Sequence, residues 1–188
     1  MTSHTTPTPL CAPLVWGHGP KTLEVFLEPT CPFCGRAFAK FDELLARVGE
    51  DRLTLKIRLQ SQPWHTFSPV VTRAVLAAST LPDGKAAAHA VLAAVFAHRE
   101  AFILVKHASG PLLDASPRSL LTRIEQLSGI PVAAPFELPE LEAEMKWHAR
   151  YARQNGIHAS PTFMVDGLVA PGMNSGDTVE AWMAALLA

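Results

Sequence analysis

The chain has 188 residues, 48% of them hydrophobic, and its 16 basic and 17 acidic residues leave a formal charge of -1. That length suits one domain, or one domain carrying a sizeable insertion, around an ordinary hydrophobic core. Near-zero charge excludes the electrostatic footprint of a nucleic-acid or anionic-membrane partner, and no apolar run approaches the roughly 18 residues that cross a bilayer.

Residues 1–19 read as a flexible Pro- and Thr-rich leader, with Pro13 to Gly19 able to form a short edge strand. Met1 to Leu10 lacks the basic segment and apolar stretch of a secretory signal. The expected location is therefore the cytoplasm, or the periplasm if a signal has been removed. Three cysteines do not make the framework of a disulfide-stapled secreted domain, and Cys11 in the leader reads as a flexible free thiol.

From Lys21 to Glu28, Leu23, Val25 and Leu27 alternate with their neighbours, the period of a central strand. Phe38, Phe41, Leu45 and Val48 then recur at helical spacing, and Gly49 ends that helix. Arg52 to Gln60 alternates again, with Leu53, Leu55, Ile57 and Leu59 on one face. Between about residues 66 and 155 the grammar becomes helical, punctuated by Pro and Gly. Val71–Ala78, Lys85–His98 and Ser116–Leu127 are predicted helices, and Leu138, Leu141, Met145 and Ala152 mark a fourth. Pro161 to Val165 returns to strand grammar, and Asp166-Gly167 signals a hairpin turn before Leu168 and Val169. Asp177 or Ser175 is the expected cap of a last helix that turns Val179, Trp182, Met183 and Leu186 inward. The fold class is α/β, residues 20–188 forming one domain with an inserted helical subdomain.

Cys31-Pro32-Phe33-Cys34 falls between the end of a strand and the start of a helix. The first thiol is thus expected at a helix N-terminus, where unpaired N–H groups favour its thiolate. Pro32 suits the first turn because no N–H donor is needed there. Cys34 follows on the same turn, close enough to attack a mixed disulfide on Cys31. Pro32 and the helix start are expected to expose Cys31, whereas apolar groups such as Phe38 hide Cys34 and raise its pKa. A tetrahedral zinc site is disfavoured, because no second cysteine pair completes the ligand set and His65 or His158 would have to be recruited.

Together, this motif, the helical insert and the segment from Gly156 to Gly167 resemble the DsbA-like branch of the thioredoxin superfamily. The likeness runs from about Pro20 onward and implies a thioredoxin-like fold and thiol–disulfide oxidoreductase activity. It also implies a cis Pro161 lying against the cysteines, with Ser160 before it and Pro32 and Phe33 beside it forming the substrate-binding surface. The chain departs from the family at Val25, where members commonly place a buried acid six residues before the first cysteine. Period-two alternation puts Glu24 on the opposite face, and Glu28 remains as a candidate for proton transfer, although a carboxylate at a strand end is commonly solvated.

The leading expectation is an enzyme in which Cys31 is the nucleophile and Cys34 the resolving thiol, with no cofactor beyond the cysteines and no metal. Its partners would be protein or peptide thiols and disulfides, with glutathione left open as reductant. A glutathione-dependent transferase or isomerase of the same fold is the alternative, disfavoured because those relatives usually keep a serine in the active position. A redox-inert or redox-sensing binding module is the other. Gln62, Trp64 and His65 follow the second strand and read as groove or loop packing; His148 reads as a surface or satisfied position.

Overall fold

The computed structural model describes residues 10–187. Its sheet has the strand order β1-β3-β2-β4-β5, with β1 at Val15–Trp16, β2 at Lys21–Leu27, β3 at Leu53–Leu59, β4 at Thr162–Val165 and β5 at Leu168–Val169. β2 and β3 run parallel, pairing Val25 with Ile57 and Leu27 with Leu59. β4 runs antiparallel to β2, with Phe163 opposite Val25. Alternation sends Leu53, Leu55, Ile57 and Leu59 into the main core with Leu23, Val25 and Leu27, as a half-buried strand requires. Phe26 and Met164 point the other way, into a smaller cluster with Ala152 and Ile157.

Two helices follow β2 where one is predicted: α1 at Pro32–Phe38 and α2 at Phe41–Val48. The break is a tightened turn in which Lys40 N–H bonds to the Ala37 carbonyl. Its ammonium is held by the Ser175 and Asp177 carbonyls and lies 4.8 Å from the centre of the Trp182 ring. The kink thus has an identifiable cause: Lys40 is drawn toward the loop before the last helix.

Between β3 and β4 lie α3 at Ser68–Ser79, α4 at Gly84–Ala97, a 3₁₀ turn at Arg99–Phe102, α5 at Pro117–Ser128, α6 at Ala133–Phe136 and α7 at Leu141–Gln154. Ser116 caps α5, exchanging hydrogen bonds with Ser119. The expected fourth helix is α7, which holds Leu141, Met145 and Ala152 while Leu138 lies before its start, and α6 is a short helix that the spacing does not mark. Asp166 and Gly167 both have positive φ, the requirement of a type I′ hairpin turn, and the Asp166 carboxylate accepts from Thr22 N–H and Lys21 Nζ. The last helix, α8 at Val179–Leu187, is capped by Thr178, whose hydroxyl accepts from Ala181 N–H. Neither expected cap serves: Asp177 is occupied by the N–H and side-chain amide of Asn174, and Ser175 offers its carbonyl to Lys40.

The expected flexible leader needs correction over its described part. Cys11 and Leu14 are buried, Ala12 N–H bonds to the Ser79 carbonyl, and β1 pairs antiparallel with β3. The apolar stretch Leu14–Trp16 outweighs the prolines around it, and burial pushes the Cys11 thiol up. Residues 1–9 of the expected leader lie outside the described residues. Among the described residues, no helix is long and apolar enough to cross a membrane.

Candidate active site

Cys31 is the N-cap of α1, in extended backbone immediately before Pro32. Gly35, on the next turn, lets α1 lie flat on α4: a Cβ there would come within 3.0 Å of the Phe96 ring. This packing leaves Cys34 0% exposed and Cys31 only 6%. The expectation of an exposed Cys31 is therefore corrected. Pro32 and Phe33 are exposed, but the Ser160 carbonyl oxygen stands 3.7 Å from Cys31 Sγ and covers it from the β4 side. The Ser160–Pro161 peptide is cis. Thus the Cys31–Cys34 pair and the Ser160–Pro161 pair, more than a hundred residues apart in sequence, meet at one end of the sheet.

The two thiols are electrostatically distinct. Cys31 is lowered to about 6, chiefly by the hydrogen bond from the Cys34 thiol, helped by the Cys34 and Phe33 backbone N–H groups and opposed by burial and the nearby Glu28 charge. Only the backbone part of this lowering is the helix-terminus effect expected of the motif; the larger part comes from the second cysteine. Cys34 is raised well above the ordinary thiol range, first by burial and then by the thiol beside it. The backbone N–H of Glu28 donates to Cys34 Sγ at 3.3 Å.

Glu28 is not solvated at the strand end but fully buried, 0% exposed. One carboxylate oxygen accepts from Thr30 N–H and its hydroxyl, and the other lies 2.6 Å from His65 Nδ1. The His65 ring stacks on His107, centroids 5.5 Å apart, and Arg99 Nε donates to the Thr30 carbonyl. Beside them is a cleft of about 270 Å³ whose lining includes Trp64, His65, Arg99, Lys106 and His107. Val25 is buried in the core, while Glu24 pairs with Arg58 and accepts from Tyr151.

Sequence reasoning read His65 as groove or loop packing and passed over Thr30 and Arg99. A usable signal existed for His65: parallel β2 and β3 deliver their following segments to the same end of the sheet, where α/β proteins gather their sites. On that end too, the Gln62 amide donates to the His158 carbonyl and reaches Ser160 Oγ, flanking a groove of about 900 Å³ that runs between the β3 end, α3 and α7 past Gln60, Met145, Arg150 and Ile157. Among the described residues no three His, Cys, Asp or Glu side chains converge as metal ligands would.

Compared with solved structures, the chain is 59% identical to the Pseudomonas syringae protein described as a "putative protein-disulfide isomerase", covering 92% of this chain and 97% of that one at a TM-score of 0.91. The chain belongs to the DsbA-like thiol–disulfide oxidoreductases. More distant members of this fold include a thioredoxin-like oxidoreductase from Silicibacter pomeroyi at 22% identity, covering 96% and 95% of the two chains at a TM-score of 0.65. Pseudomonas aeruginosa DsbA2, at 17% identity, covers 96% and 95% at 0.66. These two show the shared DsbA-like architecture of a thioredoxin-type sheet and helical insert. No family model matches the sequence, and no curated protein does.

Proposed function

We propose that this DsbA-like oxidoreductase exchanges disulfides through Cys31 and Cys34, with Cys31 attacking and Cys34 resolving. The observation that carries the reading is the split between the two thiols. A thiol lowered to about 6 is about 90% ionised at pH 7, so Cys31 attacks a substrate disulfide and releases one substrate sulfur as thiolate. Cys34 then attacks Cys31 Sγ, forming the intramolecular disulfide and releasing the second. Electrons pass from the cysteine pair to the substrate, and no separate cofactor takes part.

The substrate is a protein or peptide disulfide presented as an extended segment beside Ser160 and Pro161, with Pro32 and Phe33 forming the opposite lip. Strand-like addition at a short backbone edge supplies affinity without demanding one sequence. Glutathione serves as reductant, and the working compartment is the cytoplasm, where thiols are held reduced and the enzyme runs as a reductase. Glu28 takes part in proton transfer at Cys34.

Turnover of insulin and of a glutathione mixed disulfide, compared with Cys31→Ala, tests this reading. The expected result is glutathione-dependent reduction of both, lost in the variant. A folded protein that turns over neither is a binding module and not this enzyme. Equilibration against glutathione then fixes direction, each tenfold change in the oxidised-to-reduced ratio corresponding to about 30 mV.

A further inference from the structure

We infer that Glu28 is the base that takes the proton from Cys34 during resolution, and that His65 is a positioning residue that holds and aims the Glu28 carboxylate. The inference rests on the Cys31–Cys34 reading above and makes its proton-transfer step specific, naming the base and the residue that positions it.

Cys34 cannot resolve as a free thiolate at neutral pH, because burial and Cys31 hold its thiol far up. A base must therefore stand at hand. The position six residues before Cys31 holds Val25, which is apolar and buried, and Glu24 is engaged by Arg58 and Tyr151. Glu28 is the buried acid next to the pair: its backbone N–H is on Cys34 Sγ, and its charge acts on Cys31.

A fully buried carboxylate stays anionic only if donors surround it. Thr30 supplies an N–H and a hydroxyl, and His65 supplies the third donor from Nδ1 at 2.6 Å. The imidazole is fixed in turn by His107 stacked on its face and by Trp64 at its edge. The other charged groups of the cleft are Lys106, Glu100 and Arg99; Arg99 binds the Thr30 carbonyl and Glu100, not the carboxylate of Glu28. Held by a hydroxyl, an amide and an imidazole, Glu28 can accept a proton without breaking a guanidinium pair.

The step balances within the molecule. As Cys34 Sγ bonds to Cys31 Sγ, the Cys31–substrate bond breaks and the substrate sulfur leaves as thiolate. The Cys34 proton passes to the Glu28 carboxylate, and solvent later removes it. In the reverse direction Glu28 returns a proton to Cys34 as it leaves.

A single turnover of the reduced protein with Ellman's reagent separates capture, which releases the first thionitrobenzoate, from resolution, which releases the second. This leaving group needs no proton, so the second phase reports deprotonation of Cys34. In the unaltered protein that phase should be fast and nearly flat around pH 7. A second phase that climbs about tenfold per pH unit through neutrality, as an unassisted thiol requires, overturns the inference. Glu28→Gln should slow the second phase on the order of 100-fold at pH 7, the usual worth of a positioned base, while capture persists.

His65→Asn removes the imidazole that meets the Glu28 carboxylate at 2.6 Å and leaves that carboxylate less well aimed, so the second phase slows while capture persists. Resolution should be about tenfold slower at pH 7, less than the loss expected for Glu28→Gln, with release of the first thionitrobenzoate unchanged. Variants that fold and resolve at the unaltered rate across pH overturn the base and its positioning residue. If instead no adduct forms on Cys31 in the unaltered protein, the oxidoreductase reading of the site falls first.

Discussion

Two buried carboxylates lie four residues apart on and just after β2, and they do different work. Glu24 faces Arg58, whose Nε and Nη2 both reach it at 2.6 Å, while the guanidinium lies over Trp147 and Tyr151. That region is a closed electrostatic unit, its charges matched and its polar atoms used. Glu28 faces Thr30 and His65 instead, beside a cysteine pair whose ionisation is unequal. A carboxylate locked to a guanidinium holds structure together, whereas one held by a hydroxyl and an imidazole can trade a proton. Burial and residue type are common to both, so partners decide the role.

The largest effect expected on the structural side is at Glu24. Glu24→Gln leaves Arg58 without its counter-charge in a mostly buried place, which should cost about 4 kcal/mol in urea unfolding, with the Cys31 alkylation profile unchanged. A variant that keeps its stability but resolves mixed disulfides slowly would erase the difference between the two acids.

His148 sharpens the same contrast through pH. It is buried, accepts from Leu59 N–H through Nδ1, and burial lowers it to about 4, with the Arg58 charge adding to the effect. Because the folded value lies below the ordinary 6.5, the unfolded chain binds the proton first as pH falls. Stability on the order of 3 kcal/mol is present above pH 6.5 and lost between 6.5 and 4. His148→Gln, which retains an acceptor for Leu59, should flatten that limb in denaturant titrations from pH 4 to 7. An equally steep limb in the variant assigns it to other groups.

The smallest effect lies in the insert, away from both acids. Ser116→Ala removes the α5 cap and should cost about 1 kcal/mol while leaving thiol chemistry alone. A changed rate of resolution in this variant would mean that the insert's stability couples to the site.

Much of this arrangement is legible from residues alone. Period-two alternation in β2 and β3 separates Val25 from Glu24, and the strand–motif–helix order puts Cys31 at a helix start. The type I′ turn follows from Asp166-Gly167, and Pro161 is singled out by the family resemblance that the segment around it carries. What could not be read depends on long-range partners. Alternation stops where β2 ends, so no periodicity tells where the Glu28 side chain goes, and its burial comes from His65 and Thr30. Cys11 and Leu14 are buried because β3 offers them an edge and α3 a face, which a Pro-rich stretch does not reveal. The break between α1 and α2 reflects Lys40 reaching the chain near Ser175, far away in sequence. Cys31 is covered by Ser160, and local spacing around the motif cannot show a lid that arrives from β4.

The most direct measurement is alkylation of the reduced protein with iodoacetamide from pH 4 to 10, each site followed by mass. Cys31 should be modified with half-maximal rate near pH 6, while Cys34 stays unmodified through neutrality. Cys34 reacting first, or Cys31 titrating near the ordinary thiol value of about 8.5, would contradict the assignment of nucleophile and resolving thiol.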